Sequence, residues 1–319
     1  MSRRPYLLAA AALAAAIVLI ALFVRDDFIR PYGGDVLVTA FLCAAVRTVL
    51  PRRPRLLPLW VFLFAAAVEI GQFFGLVDRL GLGGIPFFRI ALGTTFSLAD
   101  LLCYAVGCAL FWAVEHRART AAANLRHNRA LADTADACRG PDGLCHGQRR
   151  EPLGTMRFGF FSVGRSGCGP IGICNALRLL GTDIPLPDVI AACEWGTPIA
   201  GAAMGLSPLT IPAITRRLLH RADRHDLRVR SMLLPPETPP ANGALILTHL
   251  NGKKLKDGAH TVAVYAAEDG TVCVANAFNR SSAAMHCASI ETYLRGRYML
   301  YAVELTRHNP KADPAQKRD

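Results

Sequence analysis

Cys168, His260 and Asn276 are the residues whose types, order and settings could perform covalent chemistry in this chain. Cys168 lies in Phe160-Phe161-Ser162-Val163-Gly164-Arg165-Ser166-Gly167-Cys168-Gly169-Pro170, and an apolar run from Ile171 to Leu180 follows. The pattern predicts a polar, glycine-rich loop that hands a thiol to the first turn of an apolar helix. Pro170 fits that turn, where a missing N–H costs no hydrogen bond. A helix N-terminus stabilises negative charge, which favours the thiolate and so the nucleophile. Gly167 and Gly169 are expected to leave the sulfur sterically open. The plainer alternative is a packed core thiol, the commonest fate of a cysteine outside a disulfide.

A thiol nucleophile needs a base. Gly258-Ala259-His260-Thr261-Val262-Ala263-Val264-Tyr265 opens with a histidine and continues as a β-branched alternating run, the pattern of a strand. Glu268-Asp269-Gly270 supplies turn residues, and Thr271-Val272-Cys273-Val274-Ala275-Asn276 forms a second strand ending in an amide. Paired antiparallel, the strands set Asn276 near His260, where the amide could orient the ring. Taken singly, His260 also reads as a histidine that merely starts a strand, and Asn276 as a turn residue.

Helix-borne cysteine, strand-borne histidine and an orienting asparagine, in that order, resemble the papain-like cysteine peptidases, most closely the branch that processes double-glycine leaders of bacteriocins. The resemblance covers residues 155–306. It implies an α+β fold with the cysteine helix packed on an antiparallel sheet. It also implies Cys168 as nucleophile, His260 as base, Asn276 as orienter and a peptide as substrate. One position departs. The papain pattern has an oxyanion-donating glutamine six residues before the cysteine, and Ser162 stands there instead. Loss of such a donor costs ~10²–10³ in rate.

Elsewhere the chain is built for a membrane. Mean hydropathy is +0.28, and the first third is dominated by Ala, Leu, Val and Phe. Four spans are expected, over residues 6–24, 36–50, 56–74 and 96–114. Arg47 near the end of the second is expected to snorkel to the interface. The net charge of +12 is gathered beside these spans, which argues for lipid-surface contact and against nucleic acid. Arg3 and Arg4, Arg52, Arg53 and Arg55, and Arg117, Arg119, Arg126 and Arg129 fall on one side. Positive-inside bias therefore places both termini in the cytoplasm of a multi-pass inner-membrane protein.

Polar groups within the spans ask for a reason. Glu69 and Gln72 lie one turn apart in the third span and Asp100 lies in the fourth, where such groups face a bundle interior or cavity. Bracing between helices would explain them equally. With Arg79 or Arg89 and Gly93-Thr94-Thr95-Phe96-Ser97-Leu98-Ala99-Asp100, they resemble the VanZ-like membrane proteins. Closer still is a related bacterial domain of unknown function, whose opening Arg30-Pro31-Tyr32-Gly33-Gly34-Asp35 is also matched. That resemblance spans residues 1–115 and implies a membrane patch of Glu69, Gln72, Arg89 and Asp100, without settled chemistry.

The expected architecture is thus a four-helix transmembrane bundle followed by a soluble α+β papain-like domain. Residues 116–154 join them as a helical extension and turn-rich linker, and 307–319 form a disordered tail. Cys138, Cys145 and His146 cluster in the linker but lack a full zinc ligand set, so no metal and no cofactor is expected. Three functions stay open: a membrane-tethered cysteine peptidase or acyl-transfer enzyme, a silent papain-like module that binds a peptide or headgroup, and a function seated in the bundle.

Overall fold

The structure is a computed structural model that describes residues 3–26, 28–52, 54, 56–74, 97–132, 139–196, 198–252 and 254–307. The chain divides into two compact units, Met1–Ala118 and Arg119–Asp319.

The first unit holds α1 (Arg4–Phe23), α2 (Gly34–Val49), entered through a π-helical turn at Ile29–Gly33, and α3 (Leu57–Phe73). It also holds the N-terminal part of α4 (Leu98–Ala130). The helices at Arg4–Phe23, Ile29–Val49 and Leu98–Ala130 are long and apolar enough to cross a membrane, whereas α3, at 17 residues, is apolar but shorter. Leu8, Leu22, Phe23, Trp60, Phe64 and Leu110 are exposed. Helices apolar on their outer surfaces suit lipid better than water. Inside them, Cys43, Leu57, Val61 and Cys108 form a small buried hydrophobic cluster.

The second unit is a helix-plus-antiparallel-sheet domain. The C-terminal part of α4 docks into it through two asparagines. Asn128 pairs with both the N–H and the carbonyl of Arg157, at 2.7 and 2.8 Å, and Asn124 donates to the Gly159 carbonyl and to Glu194. These contacts hold the short ribbon β1 (Arg157–Phe158) and β2 (Phe161–Ser162), which leads through α5 (Val163–Ser166) into α6 (Cys168–Leu179). After α7 (Leu186–Trp195), α8 (Ile211–Arg221) buries Ile211, Ile214, Thr215, Leu218 and Leu219 and exposes Arg216, Arg217, His220 and Arg221. That is the one-sided spacing of a surface helix.

The sheet contains β3 (Leu227–Met232), β4 (Gly243–Leu250), β5 (Ala259–Ala266), β6 (Val272–Ala275), β7 (Met285–Cys287) and β8 (Tyr298–Arg307), with α9 (Ile290–Leu294) between the last two. Their order is β3-β8-β4-β5-β6-β7, every pair antiparallel. Strand alternation gives it two faces. Ala244, Ile246, Ala263, Ala275, Val303 and Leu305 pack on the helices with Ile171, Ile173 and Leu177. Leu245, Leu247, Val262, Val264, Val272 and Val274 form a second core with Ile290 and Tyr293. Each large aliphatic side chain buried this way contributes about 1.5–3 kcal/mol.

The stretch expected as linker is different. Leu144, Cys145, His146 and Gln148 are buried, and Leu144 and Cys145 belong to the helix-side core. Gly140-Pro141-Asp142-Gly143 does form a turn, with Gly143 N–H on the Gly140 carbonyl at 3.0 Å. That turn folds the segment onto the domain. The tail after residue 307 lies outside the described residues.

Candidate functional site

The site forms where the start of α6 meets the start of β5. Gly172 follows Cys168 by one turn on the same helix face, and a Cβ there would lie 3.0 Å from Thr261 Cγ2. Its absence lets α6 close on β5 and carries Cys168 to His260 and Thr261. Gly167 and Gly169 act alike, since a Cβ on either would run into Val163 or Leu206. The glycines beside the thiol are therefore close-packing positions rather than the source of openness expected from sequence. Cys168 itself is half-buried.

Cys168 lies within the influence of the His260 ring and of the backbone and hydroxyl of Thr261. Burial pushes the thiol up, but these partners outweigh it and hold Cys168 below its ordinary value. For His260, burial pushes the ring down, and the Cys168 sulfur and the Asn276 carbonyl more than offset that, so it is raised. The two shifts run in the directions that favour a charged pair, the thiol lowered and the imidazole raised.

His260 Nε2 lies 2.7 Å from the Asn276 carbonyl oxygen. A carbonyl only accepts, so Nε2 carries the proton and Nδ1 is left for the thiol. The contact thus comes from the main chain of Asn276, not from the side-chain amide expected from sequence. The reason is conformational. Asn276 has φ +58°, a left-handed geometry that asparagine tolerates, and its Oδ1 accepts instead from the Gln148 N–H at 3.3 Å.

Behind Asn276 stands a residue that the sequence reading set aside. His146 is fully buried. Its Nδ1 accepts from the Asn276 N–H at 3.2 Å, and its Nε2 donates to the Asp142 carboxylate at 3.0 Å. Asn175 of α6 clasps the adjoining Cys145 backbone, accepting from its N–H and donating to its carbonyl, both at 2.8 Å. The available signal was the Asp142-to-His146 spacing after a Gly-Pro turn.

A second histidine supports the first. His249 on β4 is the cross-strand partner of His260, its ring 6.0 Å away, and a β-bulge between Thr248 and His249 sets its aim. Its Nε2 bonds the Tyr293 hydroxyl at 2.8 Å, and Arg297 lies over the Tyr293 ring at 4.5 Å. Burial lowers His249 to about 4 despite the Leu250 carbonyl, with the charges of His260 and Arg297 adding to it. A neutral His249 leaves the positive charge to His260.

Ser162 ends β2, ahead of α5. Its carbonyl accepts from the Ser166 hydroxyl at 3.5 Å, and its own hydroxyl makes no hydrogen bond among the described residues. A groove of about 790 Å³ on this unit, walled in part by Arg129, Trp195, Arg217 and Arg221, contains none of the catalytic candidates.

In the first unit, Glu69 is buried and accepts the Ser97 N–H at 2.6 Å, with the Tyr104 hydroxyl 3.5 Å from its other oxygen. Ser97 Oγ accepts the Asp100 N–H at 3.3 Å, which caps the start of α4. Asp35 lies within the field of both Asp100 and Glu69. Gln72 is half-buried. Arg89, Arg79 and residues 93–96 lie outside the described residues. Arg47 does not snorkel: it is fully buried, its Nε 2.8 Å from Glu115 Oε1, which the Tyr6 hydroxyl also contacts at 2.8 Å. A guanidinium at this depth is held by a carboxylate because the alternative is an uncompensated charge.

Residues 24–108 match the family described as a protein of unknown function, DUF2809. No curated protein and no solved structure matches the chain. The DUF2809 stretch takes in Asp35, Arg47, Glu69, Asp100 and Gly107, and it ends before Glu115 and well before Cys168. It agrees with the resemblance to a domain of unknown function, and it carries neither the VanZ-like nor the papain-like likeness. Within it, α2 and α4 approach at Gly107, where a Cβ would run into Thr39 Oγ1 and the Val36 carbonyl.

Proposed function

We propose that the second unit is a cysteine-nucleophile hydrolase or acyl-transfer enzyme of papain-like architecture, acting on a peptide. Its tether is the first unit, a VanZ-like set of spans in a bacterial inner membrane, with both termini cytoplasmic. The observation that supports the enzyme is the meeting of Cys168, at the start of α6, with the start of β5, where the ring of His260 is fixed through Nε2 by the Asn276 carbonyl. In this reading the Cys168 thiolate attacks a carbonyl carbon, and the His260 imidazolium protonates the leaving amine. His260 then takes a proton from the water or amine that attacks the thioester. The Cys168 N–H, at the open end of its helix, faces the developing oxyanion. Ser162, standing where the papain pattern has its oxyanion glutamine, favours a second reading, a papain-like module that binds a peptide and turns it over slowly or not at all.

Incubation of the full chain in detergent with a peptide vinyl sulfone, followed by intact-mass and peptide mapping, tests the proposal. A single adduct on Cys168 that is absent in His260→Ala supports the enzyme. No adduct on Cys168, with retained binding of the parent peptide, supports the binding module.

A further inference from the structure

Away from Cys168, a second pair of sulfurs is set for chemistry that the peptidase reading does not use. Cys145 and Cys174 are both buried, 2% and 1% exposed. The double hydrogen bond of Asn175 to the Cys145 backbone fixes this segment beside α6, where Cys174, the residue before Asn175, lies one turn from Arg178 on the same helix face and rests its thiol on the Ile184 carbonyl at 3.8 Å. Arg178, one turn further along α6, points Nη1 at the Cys145 sulfur from 3.0 Å. Its Nε is held by Asp183 at 2.9 Å, so the guanidinium is fixed in that aim. A cavity of about 150 Å³, bounded by Arg139, Asp183, Pro185 and Pro187, has Cys145 on its wall. That is well above the ~10–15 Å³ that admits one water-sized molecule.

We propose that Cys145 and Cys174 form a peroxide-reactive dithiol, in which Cys145 is oxidised by a small hydroperoxide and Cys174 resolves it to a disulfide. The Cys145 thiolate attacks one peroxide oxygen; the S–O bond forms, the O–O bond breaks, and the departing oxygen takes a proton to become water or an alcohol. The sulfur loses two electrons to the peroxide. The Cys174 sulfur then attacks Cys145, the S–S bond forms, and the hydroxyl leaves as water with the proton from Cys174. Arg178 selects the order of attack: its guanidinium stands 3.0 Å from the Cys145 sulfur and favours the thiolate there, while the Cys174 thiol rests on the Ile184 carbonyl. The cavity is large enough to admit hydrogen peroxide. In a reducing compartment such a disulfide forms transiently, as a sensor's does. Its place is meaningful, because residue 146 holds Asn276, so closing the bond acts on the segment that positions His260.

The test uses the full chain carrying Cys168→Ala, which keeps it independent of the nucleophile assigned above. Hydrogen peroxide is titrated in, and peptides are mapped with and without dimedone. The expected product is a peptide cross-linked through Cys145 and Cys174, reversed by dithiothreitol. Cys174→Ser should trap a dimedone adduct on Cys145, and Arg178→Met should slow the cross-link by at least ~10-fold at neutral pH. Cys145→Ser should leave Cys174 unmodified. The proposal fails if Cys145 and Cys174 stay reduced while other cysteines oxidise, or if Arg178→Met leaves the rate unchanged in a folded protein.

Discussion

If the main-chain carbonyl of Asn276 orients His260, the side chain at that position is dispensable for reactivity, provided the left-handed backbone survives. Asn276→Gly keeps φ +58° without strain. It loses the 3.3 Å bond from the Gln148 N–H, about 1 kcal/mol, and adds about 0.5–1 kcal/mol of unfolded-state entropy. It also removes Nδ2, which is buried with no partner among the described residues, and that offsets part of the loss. A net destabilisation of about 1 kcal/mol is expected, with the His260 contact intact. Asn276→Ala loses the same bond and places a Cβ in left-handed geometry at about 1–2 kcal/mol. Relieving that strain rotates the carbonyl off His260. Since ~1.4 kcal/mol is tenfold, alanine should slow alkylation of Cys168 by iodoacetamide about tenfold, and glycine no more than about threefold. Both are read as second-order rates at the mapped Cys168 peptide, beside the melting temperature. The reasoning is refuted if Asn276→Gly is as unreactive as His260→Ala while still folded.

Further expectations follow from the same structure. His249 stays neutral in the fold down to about pH 4 but takes a proton below its ordinary 6.5 when unfolded. The unfolded chain therefore binds more protons between those values, and stability falls as pH drops through them, by about 3 kcal/mol from this residue. His260, whose ring is raised, acts in the opposite sense, so the measured quantity is the difference in acid unfolding between wild type and His249→Gln, which should lose that slope. In the first unit, Arg47→Met alone should cost about 3–5 kcal/mol in detergent by leaving Glu115 buried without its cation, and Arg47→Met with Glu115→Met should recover most of it. A double variant no more stable than the single would show that the pair is not the determinant. Ser162→Gln should raise peptide turnover by up to ~10² if the site is a weakened peptidase, and an unchanged rate would favour the binding module.

What the sequence made legible is what rests on local pattern. The alternation after Ala259 and the turn at Glu268-Asp269-Gly270 appear as β5, its hairpin and β6, with Gly270 N–H on the Ala267 carbonyl. The first three apolar runs appear as helices within two residues of their expected limits, and the fourth starts at Leu98 but continues unbroken through the expected extension to Ala130. What was not legible depends on tertiary closure. A carbonyl has no letter in the sequence, so an asparagine in the right place was credited with its amide. Asp142, Cys145 and His146 looked like linker because a Gly-Pro turn punctuates them, and only Asn175, far along the chain, shows that they are core. Arg47 looked like an interfacial residue because Glu115, its partner, is many turns away on another helix.

The central claim is that Cys168 is a thiolate maintained by His260, and the most direct measurement is the pH profile of its alkylation. The thiol is lowered and the imidazole raised, so reactivity at Cys168 should already be present well below the ~8.5 of an ordinary cysteine. The buried Cys193, pushed up by its burial, should stay inert across the same range. Removing the ring by His260→Ala should move the Cys168 profile upward to that of an ordinary or buried thiol. A wild-type profile that rises only near pH 8.5, and that His260→Ala does not move, would contradict the account.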